Sequence, residues 1–239
     1  QAASLDADRL RALTTDQVAA ITTTQIDELV ATRLGNMTTD QVAAIETRDL
    51  AVMTTEQLSK LTDTQVKALT TDQIVGLSLT QAPKLGSGQL SQLGTEQVVA
   101  IETRDLAALG TDQVAALTAT QVSKMSTGQI AALRSDQADA LLDDRLKGMG
   151  TEQVVALTTT QIDKIDASKL AAMGTDQVRA LETADLAQMT TEQIQGFIEA
   201  QVTALKTDQV AALKDTQAAA LTGGQLQALG TEQVVALVT

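Results

Sequence analysis

The feature that most constrains the fold is an eight-residue repeat that runs through the chain without insertion or deletion. An apolar residue recurs at every eighth position from Leu5 to Leu237. A second apolar row runs in the same way from Leu10 to Val234. This second row is weakened to alanine at Ala82, Ala138 and Ala218. Because internal repeats decide the architecture of a chain before any other signal, the octad is the unit to explain.

The octad fits neither a continuous helix nor a strand. Eight helical residues advance by roughly 800°, so an apolar stripe would drift by about 80° in each repeat. The apolar pair within a unit lies three residues apart, as in Val18 and Ile21, whereas a half-buried strand places apolar residues at every second position. The repeat therefore predicts a very short helix that restarts in every octad.

The consensus unit L-T-T-D-Q-V-A-A, found at residues 13–20, contains three devices that begin a helix. With Thr14 as the N-cap, Gln17 is the third helical residue and completes a capping box. Leu13 and Val18 then occupy the two positions of a hydrophobic staple. Asp16 lies in the first turn, where a negative charge interacts favourably with the helix dipole. Isolated helices this short are marginal in water, so they must stack on one another.

Two kinds of unit depart from this pattern. Glutamate replaces the N-cap residue at Glu46, Glu102 and Glu182, and there we expect the following threonine to cap the helix instead. The single proline, Pro83, lies inside a unit and is expected to distort it locally. With these exceptions the sequence predicts an all-α fold, an α-solenoid with one very short helix per octad, formed by a single continuous array over residues 1–239.

A slower rhythm in the acidic residues suggests the length of a solenoid turn. An acidic residue at the position of Asp16 recurs in every second or third octad, and leucine in the second apolar row follows the same rhythm. We therefore predict a turn of about 20 residues, or about 2.45 octads, as in a repeat solenoid. The acidic residues define a candidate patterned face, which consists of Asp16, Asp40, Glu56, Asp72, Glu96, Asp112, Asp136, Glu152, Asp176, Glu192, Asp208 and Glu232.

Composition removes most kinds of chemistry. The chain has no Cys, His, Trp or Tyr, which excludes thiol and imidazole catalysis and zinc sites of the Cys/His type. We therefore expect no enzymatic activity, no cofactor and no catalytic, cofactor-binding or metal site. A net charge of −13 opposes binding to nucleic acid. No apolar run approaches the roughly 18 residues of a membrane span, so membrane insertion is not expected.

Two resemblances add to this interpretation. The stretches LTTDQVAAI, LTTTQIDKI and MTTEQIQGF resemble the L-T-T-x-Q-[VI]-x-A-L octad arrays of very large secreted bacterial surface proteins of the adhesin type. That resemblance covers nearly the whole chain and implies an extracellular or cell-surface stalk or fibre. The stretch LGTEQVVAI at residues 93–101 resembles the first helix of transcription-activator-like effector repeats. That family has much longer repeats with a second helix and a base-reading loop, which this acidic chain lacks, so the likeness indicates convergence on the same cap.

The sequence thus favours an acidic structural repeat protein that forms an elongated rod, as a filament or sheath building block or an adhesin stalk. The chain does not start with Met, and Val238 and Thr239 begin a further octad. We therefore expect a segment of a longer or processed chain, and self-assembly end to end or side by side. The alternative is a solenoid binding module that docks a protein or a glycan on its patterned face. A coil whose cross-section is not round would also produce the acidic rhythm.

Overall fold

The computed structural model describes residues 5–141 and 143–237, apart from the side chain of Asp143. Gln1, Val238 and Thr239, on which the prediction of a longer chain depends, lie outside the described residues. The chain divides into two compact units, unit 1 with residues 1–117 and unit 2 with residues 118–239. The prediction of one continuous array over residues 1–239 stays a prediction.

Unit 1 consists of short α-helices with one 3₁₀-helix, η1. Its helices are α1 (Ala7–Arg11), α2 (Thr15–Ala19), α3 (Thr23–Asp27), α4 (Ala31–Leu34), α5 (Thr39–Ala43), α6 (Thr47–Val52), α7 (Thr55–Ser59), α8 (Asp63–Lys67), α9 (Thr71–Val75), η1 (Ala82–Lys84), α10 (Ser87–Gln92), α11 (Thr95–Ala100), α12 (Thr103–Ala108) and α13 (Thr111–Ala115).

Unit 2 continues the same pattern of one helix per octad. Its helices are α14 (Ala119–Lys124), α15 (Thr127–Ala132), α16 (Ser135–Asp139), α17 (Asp143–Gly148), α18 (Thr151–Val155), α19 (Thr159–Lys164), α20 (Ala167–Leu170), α21 (Thr175–Ala180), α22 (Thr183–Gln188), α23 (Thr191–Gly196), α24 (Glu199–Ala204), α25 (Thr207–Ala211), α26 (Asp215–Ala220), α27 (Gly223–Ala228) and α28 (Thr231–Leu237). The described residues contain no strand, so the prediction of an α-solenoid of very short helices is confirmed.

The predicted capping devices begin these helices. In α2 the side chain of Thr14 accepts a hydrogen bond from the backbone N–H of Gln17, and the side chain of Gln17 accepts one from the backbone N–H of Thr14. Several helices end where the backbone turns extended at an apolar residue, as at Met53 with φ −56° and ψ 138°. None of the described residues has a positive φ, so no left-handed residue closes a helix. A typical octad is therefore a capped helix followed by a buried, extended apolar residue.

The structure contradicts one and confirms the other of the two expectations for octads that depart from the consensus. The helices after Glu46, Glu102 and Glu182 begin at the next residue, so each glutamate is the N-cap and the expected shift of the cap to threonine is wrong. The backbone keeps the octad register there because the apolar rows on either side are fixed in the core, although no side-chain hydrogen bond caps these helices. At Pro83 the expected distortion is confirmed, because η1 replaces the α-helix.

Within each unit, helices pack on helices that lie three octads away in sequence. In unit 1, for example, α2 contacts α5, and in unit 2 α18 contacts α21. The two apolar rows fill the space between the layers, and residues such as Leu50 and Met53 are almost completely buried. A short helix thus gains from its neighbours the burial that it cannot provide alone.

The predicted turn of about 2.45 octads is wrong, because the observed turn is longer. Stacked helices such as α2 and α5 begin three octads apart. Side-chain hydrogen bonds between layers reach the octad four positions earlier. The turn therefore comprises between three and four octads.

The error in the turn length arises because the acidic rhythm is sampled only once per octad. Each octad contributes only one residue at the position of Asp16. If a turn comprises between three and four octads and two sides of it favour acidic residues, acidic residues can therefore appear in every second or third octad, as observed. The rhythm is therefore compatible with the longer turn, although it does not measure that turn directly.

Candidate functional site

The chemically distinctive position of the octad is the third residue of the helix, which is glutamine in most octads. Gln57 illustrates its geometry. Its Oε1 accepts a hydrogen bond from the backbone N–H of Thr54 at 2.7 Å. Its Nε2 donates to the carbonyl oxygens of Ile26 and Leu29, both at 2.8 Å, which belong to the octad four positions earlier. One amide therefore begins its own helix and also binds the preceding layer.

The same arrangement recurs through both units, and we call its members the glutamine ladder. In each of them Nε2 donates to the carbonyl oxygen of the apolar residue that ends the octad four positions earlier. The glutamine ladder consists of Gln41, Gln57, Gln65, Gln73, Gln81, Gln89, Gln97, Gln113, Gln153, Gln161, Gln177, Gln193, Gln201, Gln209, Gln217, Gln225 and Gln233. All but Gln113 are buried. Burial of an amide is costly unless both its donor and its acceptor are paired, and here both are.

Cations replace glutamine at some positions of the glutamine ladder and preserve the bond between layers. Arg33 donates through Nη1 to the carbonyl of Leu5, in the equivalent place of an earlier octad. Lys169 donates through Nζ to the carbonyl and the carboxylate of Asp139. The layer contact thus requires a long side chain that carries a donor.

Three aspartates stand at the same position without supplying such a donor. They are Asp49, Asp105 and Asp185, and all three are buried. The Oδ1 atoms of Asp49 and Asp105 accept no hydrogen bond. Burial is the largest cause that raises the pKa of each carboxyl above its ordinary value of 3.8, and the neighbouring glutamates Glu46 and Glu102 add to it.

The third aspartate differs in its surroundings. Thr159 on α19 donates a hydrogen bond through its hydroxyl to Oδ1 of Asp185 at 2.8 Å. Burial still raises the pKa of Asp185, while the bond from Thr159 acts in the opposite direction. The buried carboxylate of Asp185 in unit 2 therefore accepts a hydrogen bond through Oδ1. In unit 1, the Oδ1 atoms of Asp49 and Asp105 have no hydrogen-bond partner.

A small void adjoins Asp105. It has a volume of about 10 Å³, which is close to the space that one water molecule needs. Its lining includes Asp105 together with Ile74 and Leu77, which lie in the octad four positions earlier. Ile74 and Leu77 are the residues whose carbonyls a glutamine at position 105 would reach.

The twelve acidic residues of the candidate patterned face are all exposed. Eight of them lie on helices that stack in four pairs, which carry Asp16 and Asp40, Asp72 and Glu96, Glu152 and Asp176, and Asp208 and Glu232. Among the described residues, the other four lie on helices whose main packing partners within their own unit carry no member of the set, namely Glu56, Asp112, Asp136 and Glu192. Whether these residues form a docking face stays a prediction.

The sequence pattern predicts that the glutamine side chain caps its own helix, but it does not predict the hydrogen bond from the same side chain to the preceding layer. One signal was available. Glutamine persists where the N-cap is Gly94, Lys206 or Ile198, so it is not there only to complete a capping box with threonine.

Among the described residues no group of three or more acidic side chains is arranged to hold a metal ion. No described helix combines the length and the apolar character that crossing a membrane requires.

A family model described as the ALTTAQ repeat matches residues 42–79, 98–135 and 178–215. The chain is a repeat protein. The three matched stretches begin seven residues before Asp49, Asp105 and Asp185 respectively, so each aspartate occupies the same place in its stretch. No curated protein matches the sequence.

Proposed function

We propose that this repeat protein is a structural spacer, an elongated stalk or filament element at a bacterial cell surface, without enzymatic activity. The observation that carries the proposal is the glutamine ladder, in which layer after layer binds the one before it through the same contact. In such an array each added octad extends the stack without a new kind of interface. The resemblance to octad arrays of secreted surface proteins supports the proposed location.

Assembly with further octads is part of this proposal. Gln17 and Gln25 use Oε1 to accept from their N-cap residues, but their Nε2 atoms donate to no carbonyl among the described residues. Both glutamines line an apolar recess of about 270 Å³, together with Leu13, Ile21 and Leu29. The carbonyl edge of another octad stretch is the partner that matches a donor pair beside an apolar recess. We propose that further octads of the same array, in the same chain or in a second copy, supply this edge.

The charge of the surface supports selective association. A net charge of −13 and twelve exposed acidic residues make molecules repel one another in most orientations. Nucleic acid is disfavoured as a partner for the same reason. A basic protein segment or a glycan bound along the stacked acidic pairs is the alternative function, and the four pairs, such as Asp72 with Glu96, are the observation that favours it.

The test is small-angle scattering and sedimentation over a concentration series at physiological salt. We expect an elongated particle whose apparent length increases with concentration. Replacing Gln17 and Gln25 by glutamate keeps both capping acceptors and removes both amide donors, so this variant is expected to stay monomeric with unchanged helicity. A compact particle would overturn the spacer proposal. An elongated particle whose variant assembles like the wild type would overturn only the proposed contact.

A further inference from the structure

Asp49 and Asp105 occupy positions of the glutamine ladder in unit 1 where the preceding layer offers carbonyl oxygens. By the register of the ladder, a glutamine at these positions would donate to the carbonyls of Ile21 and Leu77 respectively. No hydrogen bond to either carbonyl is present in the described part of the chain. An ionised carboxylate only accepts hydrogen bonds, so at both positions acceptors face acceptors.

The geometry shows what each position lacks. Both aspartates are 1% exposed, and the Oδ1 atom of each has no hydrogen-bond partner. Aspartate is one methylene shorter than glutamine, and the void of about 10 Å³ beside Asp105 corresponds to this missing length. The void has room for about one water molecule. A donor on the carboxyl group would complete the contact either directly or through that water.

We propose that Asp49 and Asp105 are proton-binding sites, and that unit 1 is more stable in mild acid than at neutral pH. A proton from the solvent forms an O–H bond on the carboxyl group. The hydroxyl then donates towards the carbonyl of Ile21 or of Leu77 as a glutamine amide does elsewhere. The bond between layers is thereby restored at both positions.

Burial affects the pKa of Asp49 and Asp105 more than the surrounding charges do. Nε of Arg48 lies 3.7 Å from Oδ1 of Asp49, and Nε of Arg104 lies 3.8 Å from Oδ1 of Asp105, both too long for a hydrogen bond. These arginines lower the pKa of the two carboxyls, whereas Glu46 and Glu102 raise it.

Charged residues on the packed helices are few. The helices packed on α6 are α3 and α9, whose charged residues, Asp27 and Asp72, are exposed. Within unit 1, η1 packs on α12 and carries the exposed Lys84. Burial is the largest cause for both groups and raises their pKa.

The direction of the pH dependence follows from this. A carboxyl whose pKa is raised by folding binds its proton more tightly in the folded state than in the unfolded state. The resulting stabilisation is complete below the ordinary value of 3.8 and is lost as the pH rises through the raised pKa. Stability from these two carboxyls is therefore greater in acid than at neutral pH.

The experiment compares the melting temperature of the full chain between pH 7.5 and pH 5.0 in three proteins. They are the wild type, the double variant Asp49→Gln with Asp105→Gln, and the control Asp72→Asn with Asp112→Asn, which removes the same charge from two exposed positions. We expect the wild type to melt higher in acid. The glutamine variant should melt higher at pH 7.5, by about 4 °C or more, and depend less on pH. The control should keep the pH dependence of the wild type.

Two further measurements make the test independent of how well glutamine fits. A carboxyl-carbon NMR titration of the wild type should show Asp49 and Asp105 titrating above the exposed aspartates. Asp185→Gln should gain less stability at neutral pH, since Thr159 already satisfies that carboxylate. Titration of both carboxyls at or below the ordinary value of 3.8 would overturn the proposal. An equal pH dependence of melting in the glutamine variant and the control would also overturn it.

Discussion

At the scale of single residues, glutamine is the side chain that combines an acceptor and a donor at the required length. Oε1 of Gln161 caps α19 through Thr158, and its Nε2 reaches the carbonyls of Ile130 and Leu133 in the layer before. Arginine and lysine retain only the donor. Accordingly, neither Arg33 nor Lys169 caps its own helix, and the backbone N–H of the N-cap residue Asp166 donates instead to Oδ1 of Asp139 in the preceding layer.

Replacing Gln57 by glutamate separates the two roles of the side chain. Glutamate keeps an acceptor for the backbone N–H of Thr54, but it places a carboxylate against the carbonyls of Ile26 and Leu29. We expect the free energy of unfolding to fall by about 2–4 kcal/mol at pH 7, because a buried donor is lost and a buried charge is left unpaired. Urea unfolding followed by circular dichroism measures the change.

Gln17→Glu is the matched control for that variant. Gln17 makes the same capping bond to Thr14, but its Nε2 donates to no acceptor in the described residues, and the residue is exposed. Its replacement is expected to change the free energy of unfolding by less than about 0.5 kcal/mol. Similar losses in the two variants would show that capping, and not the layer contact, dominates.

At the scale of the helix, helices of only one or two turns are stable because each is capped locally and packed against neighbouring helices. The cap itself is variable: threonine at Thr54, serine at Ser126 and glycine at Gly94 all precede helices of similar length. The glutamine acceptor is common to these helices. A helix in this array therefore depends less on its N-cap side chain than an isolated helix would.

Thr54→Ala and Thr54→Gly test this dependence. The hydroxyl of Thr54 accepts from the backbone N–H of Gln57 at 3.2 Å, and alanine removes that bond. We expect a loss of about 1 kcal/mol for alanine and a few tenths of a kcal/mol for glycine, which the chain already uses at Gly94. Thermal unfolding of both variants gives the comparison. A loss for glycine as large as that for alanine would contradict the expectation.

At the scale of the whole molecule, each unit is a stack in which equivalent contacts between neighbouring layers are expected to add up to its stability. Nearly every octad presents the same carbonyls and the same glutamine, so the glutamine ladder is defined by position within the octad. Changes of chain length that preserve this position are therefore expected to be tolerated.

Deletion of residues 158–165 removes one whole octad of unit 2 and leaves every later glutamine opposite an equivalent carbonyl. We expect the variant to fold with the same helicity per residue and a slightly lower melting temperature. Deletion of residues 158–161 removes half an octad and shifts the following glutamines away from the carbonyls. This control is expected to lose the cooperative transition of unit 2. Circular dichroism melting and limited proteolysis compare the two proteins, and equal behaviour would contradict a register set by the octad.

The sequence by itself determined the elements and the buried rows. The capping box between Thr14 and Gln17 and the staple of Leu13 and Val18 join residues a few positions apart, so the octad pattern is enough to predict one short helix per repeat. The break at Pro83 was predictable for the same reason. The N-caps at Glu46, Glu102 and Glu182 were not, because the register there is held by core rows and not by the cap side chain.

Only the tertiary structure decided which octads meet. A rhythm sampled once per octad cannot distinguish the short predicted turn from a longer turn that carries the feature twice. Helix contacts between octads three positions apart and hydrogen bonds to the octad four positions earlier show that the turn is the longer one. The second role of glutamine and the unpaired oxygens of Asp49 and Asp105 depend on that spacing. They arise from the neighbouring layer, which no local pattern of one octad contains.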